Sequence, residues 1–230
     1  MWSKLFGINA KRTSLLANTR EGSLHDFYAT DFPELNSAVD DISFAVLDFE
    51  TTGLDIKQDH IVSVGLVEIN KLGINLNTAW HAVIKTERDL PEESTVIHQI
   101  TDDMVSQGIE IKKALDMMLA RLKGRVLVAH HAQIELGYLS KICRDIYQQD
   151  FVIPVIDTQQ LAKRQLQRDQ TTLKANSLRL FNLCDRYRLP SYKAHNALSD
   201  ALSTAELFLV VVAELYPNMD CRLKDLVLKK

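Results

Sequence analysis

The segment Ile42-Ser43-Phe44-Ala45-Val46-Leu47-Asp48-Phe49-Glu50-Thr51-Thr52-Gly53-Leu54 constrains the fold more than any other stretch of the chain. Six of the eight residues from Ile42 to Phe49 are apolar. Such a run reads as a central strand buried on both faces. Side chains alternate across a strand, so Asp48 and Glu50 project from one face. Two carboxylates at the end of a buried strand repel each other and lose hydration. A bound divalent cation offsets both costs, and an all-oxygen donor set points to Mg²⁺ or Mn²⁺ rather than zinc. Thr51-Thr52-Gly53 turns the chain directly after the acids, and Gly53 is expected to let a ligand approach the backbone. The competing reading is two acids that merely cap a strand end in solvent.

The 230 residues are 46% hydrophobic and 25% charged, enough for one ordinary globular core plus extensions. The longest apolar run, Leu207 to Ala213, is far shorter than the ~20 residues that span a bilayer. Lys11 and Arg12 soon follow Trp2, Leu5 and Phe6, so no signal-peptide core is present. No membrane partner is expected. Cys143, Cys184 and Cys221 lack CxxC spacing and read as free thiols of a reducing compartment, the cytoplasm. A net charge of −3 excludes a basic footprint over the whole chain. Locally the balance differs. Between Lys163 and Lys193, eight basic residues face only Asp169 and Asp185, a net +6. This segment is either a phosphate-holding surface or a solvated helix face.

The expected division is a helical extension over 1–40, a catalytic domain over 41–217 and a short tail over 218–230. After the first strand, His60 to Ile69 predicts a second strand. Asn70-Lys71-Leu72-Gly73 predicts a hairpin turn, and Ile74 to Ile84 a third strand. Helical spacing runs from Glu110 to Leu122 and stops at Gly124. Val126 to Ala129 is a short buried strand, Glu135 to Ile146 a helix, and Val152 to Ile156 a strand despite Pro154. Helices follow over Asp157 to Gln167, Ser177 to Tyr187 and Ala197 to Tyr216. The order of elements predicts an α/β protein with a mixed five-stranded sheet flanked by helices.

Two further stretches carry chemistry. In Leu127-Val128-Ala129-His130-His131-Ala132-Gln133-Ile134-Glu135, a strand runs into a helix with an acid in its first turn. Sites of open α/β sheets lie at the carboxyl ends of strands, so Glu135 is expected near Asp48 and Glu50. Read alone, Glu135 is equally an ordinary helix-start acid. In Tyr192-Lys193-Ala194-His195-Asn196-Ala197-Leu198-Ser199-Asp200, His195 and Asp200 diverge if both sit on one helix. With Asn196 as the N-cap, His195 belongs to the loop and both side chains reach one point.

Together these residues resemble the DEDDh family of 3′–5′ exonucleases, which includes the proofreading epsilon subunit of bacterial DNA polymerase III. The resemblance spans about Ile42 to Tyr216. It rests on Asp48-Phe49-Glu50-Thr51-Thr52-Gly53-Leu54 and on the spacing from His195 to Asp200. Ile97-His98-Gln99-Ile100-Thr101 and Ile156-Asp157-Thr158 are lesser echoes. The second motif departs from the usual His-Asn-Ala-x-Phe-Asp, with Glu135 replacing the Asp and His131 the Asn. The resemblance implies a ribonuclease H-like fold and two Mg²⁺ or Mn²⁺ ions held by Asp48, Glu50, Asp200 and Glu135. It implies His195 as general base, and Thr51, Thr52, Leu54, His98 and His131 as substrate-binding positions.

The implied reaction releases nucleoside 5′-monophosphates from the 3′ end of single-stranded DNA, in repair, proofreading or turnover. The partner is then a single-stranded nucleic acid 3′ end, DNA favoured. One alternative is an exoribonuclease or oligonucleotidase. Another is a weakly active, polymerase-associated nucleic-acid-binding module. Only 13 residues follow Pro217, which favours a stand-alone enzyme over a replicative subunit with a long tail. The extension is a candidate surface for a homodimer or a polymerase partner.

Overall fold

The structure, a computed structural model, describes residues 7–86, 98–192, 195–218 and 220–228. Ile97, Lys193 and Ala194 of the motifs above, and Trp2, Leu5 and Phe6, lie outside these residues. Five strands form one sheet: β1 (Ser43–Thr51), β2 (Ile61–Asn70), β3 (Gly73–Val83), β4 (Val126–Ala129) and β5 (Val155–Asp157). Their order is β3-β2-β1-β4-β5. The first three strands form an antiparallel meander through the Asn70–Gly73 turn, and β4 and β5 add in parallel to β1. The mixed five-stranded sheet expected from the sequence is therefore present.

The helices are α1 (Gly7–Asn18), α2 (Ser23–Ala29), α3 (Asp102–Ser106), α4 (Ile111–Leu122), α5 (Gln133–Tyr147), α6 (Thr158–Arg168), α7 (Leu180–Arg186), α8 (Ala197–Leu215) and α9 (Leu223–Leu226). Alternation along β1 divides them between two cores. Ala45, Leu47 and Phe49 pack with Leu115, Met118 and Leu119 of α4 and with Tyr138, Leu139 and Ile142 of α5. Phe44 and Val46 pack with Phe208, Val211 and Val212 of α8. The rings of Phe44 and Phe208 lie 5.0 Å apart. Burying β1 on both faces is what its apolar run requires.

Both ends of the chain are built into these cores. Leu24, Phe27, Tyr28 and Phe32 are buried among α4 and α5 residues. The Tyr28 hydroxyl donates to the Asp150 carbonyl at 2.7 Å and accepts from the Val152 amide at 3.2 Å. At the other end Leu223, Leu226 and Val227 join the core beneath α8. The Leu228 amide donates to the Val155 carbonyl at 2.9 Å, covering β5.

The sequence expectation fails in three places. The fifth strand begins at Val155 rather than Val152, because Pro154 has no N–H to give a ladder. The Ser177–Tyr187 helix shrinks to Leu180–Arg186, its first residues forming turns instead. The short helices α3 and α9 have no counterpart in the periodicity; Thr101 caps α3 by accepting from the Met104 amide.

Candidate active site

β1 extends past its neighbour. Its pairing with β4 covers only Phe44 to Val46, so Asp48 and Glu50 lie beyond the last shared rung. They follow Phe44 and Val46 in the alternation and so face the side covered by α8. The start of α8 supplies the third acid. Asn196 caps this helix, its side-chain oxygen accepting from the Ser199 amide at 3.1 Å. Asp200 therefore lies in the first turn, and His195 falls in the preceding loop. The backbone amide of His195 donates to Asp200 Oδ2 at 2.9 Å. His195 adopts a left-handed backbone, φ 61°, which folds this contact back onto the helix start.

The result is a cluster in which carboxylate oxygens of Asp48, Glu50 and Asp200 lie within 4.8 Å of one another. Glu135 comes from the opposite side of the sheet, in the first turn of α5. It is buried, and its Oε2 has no hydrogen-bond partner. Burial first, then the charges of Glu135, Asp200 and Glu50, push the Asp48 carboxyl well above the usual range. Burial, then Asp200, pushes Glu50 up to about 7. Burial pushes Glu135 up to about 8, and the charge of Asp157 adds to it. Asp200 is raised by burial but held back by the His195 amide and the His195 ring.

Acids crowded and desolvated in this way are poorly compensated by the protein itself. An all-carboxylate donor set with an unpartnered buried oxygen fits a hard divalent cation. The cluster thus offers the donor set that a divalent cation of this type would need.

A second layer of contacts fixes the loop between β4 and α5. Asp157 caps α6, its Oδ1 accepting from the Gln159 and Gln160 amides at 2.9 and 3.3 Å. The same oxygen accepts from the His131 amide at 3.1 Å. His131 also has a left-handed backbone, φ 65°. The His130 ring spans Thr158 and Leu178, with Nε2 2.9 Å from the Leu178 carbonyl and Nδ1 2.9 Å from the Thr158 hydroxyl. Burial lowers its pKa to about 4, so the ring is neutral. A carbonyl only accepts, so Nε2 carries the proton.

The remaining candidates are placed as follows. Thr51 donates its hydroxyl to the Gly53 carbonyl at 2.7 Å, and Tyr138 donates to the same carbonyl at 2.9 Å. Thr52 donates to Asp59 Oδ1 at 3.0 Å and accepts from the His60 amide at 3.1 Å, so its hydroxyl is spent within the loop. Leu54 is 76% exposed beside the acids in sequence. His98 is buried, with Nδ1 accepting from the Ile100 amide and Nε2 unpartnered. Burial, then the nearby His195, lowers its pKa. The exposed His131 ring sits 3.1 Å from Gln159 Oε1.

Gly53 does not leave the open backbone expected of it, because a Cβ there would run into the Asp59 carboxylate. Gly65 is a positioning residue that the sequence reading misses. It pairs with Asp48 across the β1–β2 ladder, and a Cβ on it would collide with the Ala197–Leu198 backbone. A glycine inside an apolar strand run is the available signal of close backbone approach.

The exonuclease family model of the RNase T type matches residues 45–208. The chain is 34% identical over 174 residues to the "DNA polymerase III PolC-type" of Thermotoga maritima, covering 76% of this chain but only 12% of that relative. It is 30% identical over 172 residues to the "DNA polymerase III subunit epsilon" of Treponema pallidum, covering 75% of this chain and 77% of that one. Among solved structures, the nuclease domain of 3′hExo, "a DEDDh family member, bound to rAMP", superposes with TM-score 0.64 at 14% identity. That match covers 84% of this chain and all of the other, and it establishes the ribonuclease H-like fold. The family match runs from the first strand into the helix that carries Asp200, so it takes in every acid of the cluster, and the chain belongs to the exonuclease family of the RNase T type.

Proposed function

We propose that the protein hydrolyses single-stranded DNA from its 3′ end with two Mg²⁺ or Mn²⁺ ions, releasing nucleoside 5′-monophosphates. The observation that carries this reading is the convergence of Asp48, Glu50 and Asp200 within 4.8 Å, with buried Glu135 pressing on Asp48. When bound, such ions supply positive charge at the scissile phosphate and at the attacking water. Asp48 feels the charge of all three other acids and would be shared by both ions. Glu50 and Asp200 would hold the ion nearer the water, and Glu135 the remaining coordination position, directly or through water.

His195 is exposed, its amide holds Asp200, and its ring would take the proton of the attacking water on a ring nitrogen. The water oxygen bonds to phosphorus as the bond to the upstream 3′ oxygen breaks. Thr51, Thr52, Leu54, His98 and His131 would contact the terminal nucleotide. The polymerase III names of the two relatives support DNA over RNA and support a polymerase as a partner. Three free buried thiols support the cytoplasm, and no helix among the described residues is long and apolar enough to cross a membrane.

The test is a 5′-labelled single-stranded DNA oligomer and a matching RNA oligomer, each with Mg²⁺, Mn²⁺ or EDTA, with Asp200→Ala alongside. A ladder shortening from the 3′ end of the DNA, absent with EDTA and in the variant, is the expected result. Preferential shortening of the RNA would replace this reading with an exoribonuclease, for which the rAMP-bound neighbour stands as a precedent. Binding of oligomers without cleavage under any metal would leave a nucleic-acid-binding module.

A further inference from the structure

Among the described residues, the basic side chains from Lys163 to Arg188 differ in whether they have partners. Arg164 and Arg168 are exposed but already partnered: Arg164 donates to the Asp225 carbonyl at 2.7 Å and lies over the Tyr216 ring, and Arg168 donates to the Leu215 carbonyl at 2.9 Å. Arg179 remains exposed, and its guanidinium makes no hydrogen bond or ion pair among the described residues. It lines a cleft of about 540 Å³ that ends at His195 and Asp200. Ligand sites commonly enclose roughly 300–1,000 Å³.

Both walls of the cleft are fixed. On one side, the Leu178 carbonyl is held by the neutral His130 ring and by Gln159 Nε2 at 3.4 Å, which sets the position of Arg179. Two residues on, Phe181 at the start of α7 is 62% exposed, the aromatic among the exposed large hydrophobic residues described. On the other side, the Tyr192 hydroxyl donates to Glu206 Oε1 at 2.8 Å. The cleft thus joins an unpaired arginine and an exposed aromatic ring to the acid cluster. A positive charge with an aromatic platform is the chemistry that single-stranded nucleic acid requires. Asp185 also lines the cleft, so the phosphate path is set by Arg179 rather than by a uniformly basic wall.

We propose that this cleft is the track for the substrate strand upstream of the scissile phosphate, with Arg179 taking a backbone phosphate and Phe181 stacking a base. The inference rests on the exonuclease reading above, and nucleotide sequence would matter little to it, since every base has a face to stack.

The test measures binding and cleavage separately, using a fluorescein-labelled 12-mer of thymidylate and the dinucleotide. Binding of the 12-mer is followed by anisotropy in EDTA, where no hydrolysis is expected, over a range of salt. Phe181→Ala is expected to weaken 12-mer binding about 5- to 150-fold. Arg179→Ala is expected to weaken it and to lower the salt-dependence slope by about one. In cleavage, both variants are expected to lose part of the wild-type preference for 12-mer over dinucleotide. Phe181→Tyr, which keeps a stacking face, is expected to restore it. Wild-type binding, salt slope and length preference in both alanine variants would overturn the track. So would wild-type protein that fails to bind the 12-mer. Wild-type protein that binds through Phe181 and Arg179 but cleaves nothing would overturn the exonuclease reading and leave the track standing.

Discussion

Gly65 lies directly opposite Asp48 in the β1–β2 ladder and against the backbone of Ala197, the first residue of α8. The missing side chain lets the helix that carries Asp200 settle onto the strand pair that carries Asp48 and Glu50. One residue therefore sets the separation of the two halves of the acid cluster. A Cβ at this position meets backbone atoms, which have no rotamer to yield. Gly65→Ala is expected to cost about 1–3 kcal/mol by overpacking. It is also expected to cost activity far more, since a ~1 Å misplacement of catalytic groups is worth about 100-fold in rate. Thermal melting and kcat measured on the same preparation check this. Wild-type kcat in Gly65→Ala would remove the residue from the positioning of Asp200.

The acid cluster makes the metal-free protein pH-sensitive. Glu50 and Glu135 ionise near 7 and 8 in the folded protein against an ordinary 4.5. Above about 4.5 the unfolded chain has released protons that the folded chain still holds. Stability in EDTA is therefore greatest near the lower end of this range and falls as the pH rises towards 8. The loss is on the order of a few kcal/mol, since each tenfold change in an ionisation constant is worth about 1.4 kcal/mol. Mg²⁺ is expected to raise the melting temperature most at the alkaline end, where the acids are charged. Asp48→Asn removes one of the repelling charges. It is expected to melt higher than wild type in EDTA at pH 8, to respond less to Mg²⁺, and to lose hydrolysis. Melting curves from pH 5 to 8, with EDTA and with Mg²⁺, decide this. A wild-type melting temperature that is flat with pH in EDTA would contradict the crowding of these acids.

Much of this arrangement is legible along the chain because it is local. The apolar run of β1 marks a strand buried on both faces, and its alternation places Asp48 and Glu50 together. Asn196 marks the start of α8 and so separates His195 from Asp200. Other parts depend on contacts distant in sequence. Tyr28 is anchored by its bond to Asp150, and Leu228 by its pairing with Val155. Nothing near either residue announces the partner. The basic stretch carries a net charge that does not reveal its division, since Arg164 and Arg168 are engaged by carbonyls at the end of α8 and in α9. Pro154 shortens β5 more than the apolar run around it suggests, and Gly65 is hidden in a run of good strand formers.

Asp157 is expected to act on the site through the backbone. Its single oxygen Oδ1 gathers the amides of His131, Gln159 and Gln160, tying the start of α6 to the loop that leads to Glu135. Asp157→Ala leaves these amides without their acceptor and is expected to cost about 1–2 kcal/mol, as for other lost helix caps. Asp157→Asn keeps an oxygen in place and is expected to retain most of that stability. Chemical denaturation of the two variants separates the cap from the charge. Equal losses in both would place the importance of Asp157 in its charge as an acceptor at the helix start.

His195 requires a substitution that respects its backbone. Its φ of 61° is strained for alanine, whereas asparagine tolerates the left-handed region. The amide that holds Asp200 belongs to the main chain, so His195→Asn preserves that hydrogen bond and removes only the ring. The acid cluster then stays assembled, and Mg²⁺ should still raise the melting temperature as in wild type. The rate is expected to fall about 10²- to 10⁴-fold, the usual contribution of a general base. The pH–rate profile is expected to change shape, because the ring that accepts the proton is gone. His195→Asn with a wild-type profile would assign the proton transfer to another group. Loss of the Mg²⁺ response in the same variant would instead make the ring part of the cation site.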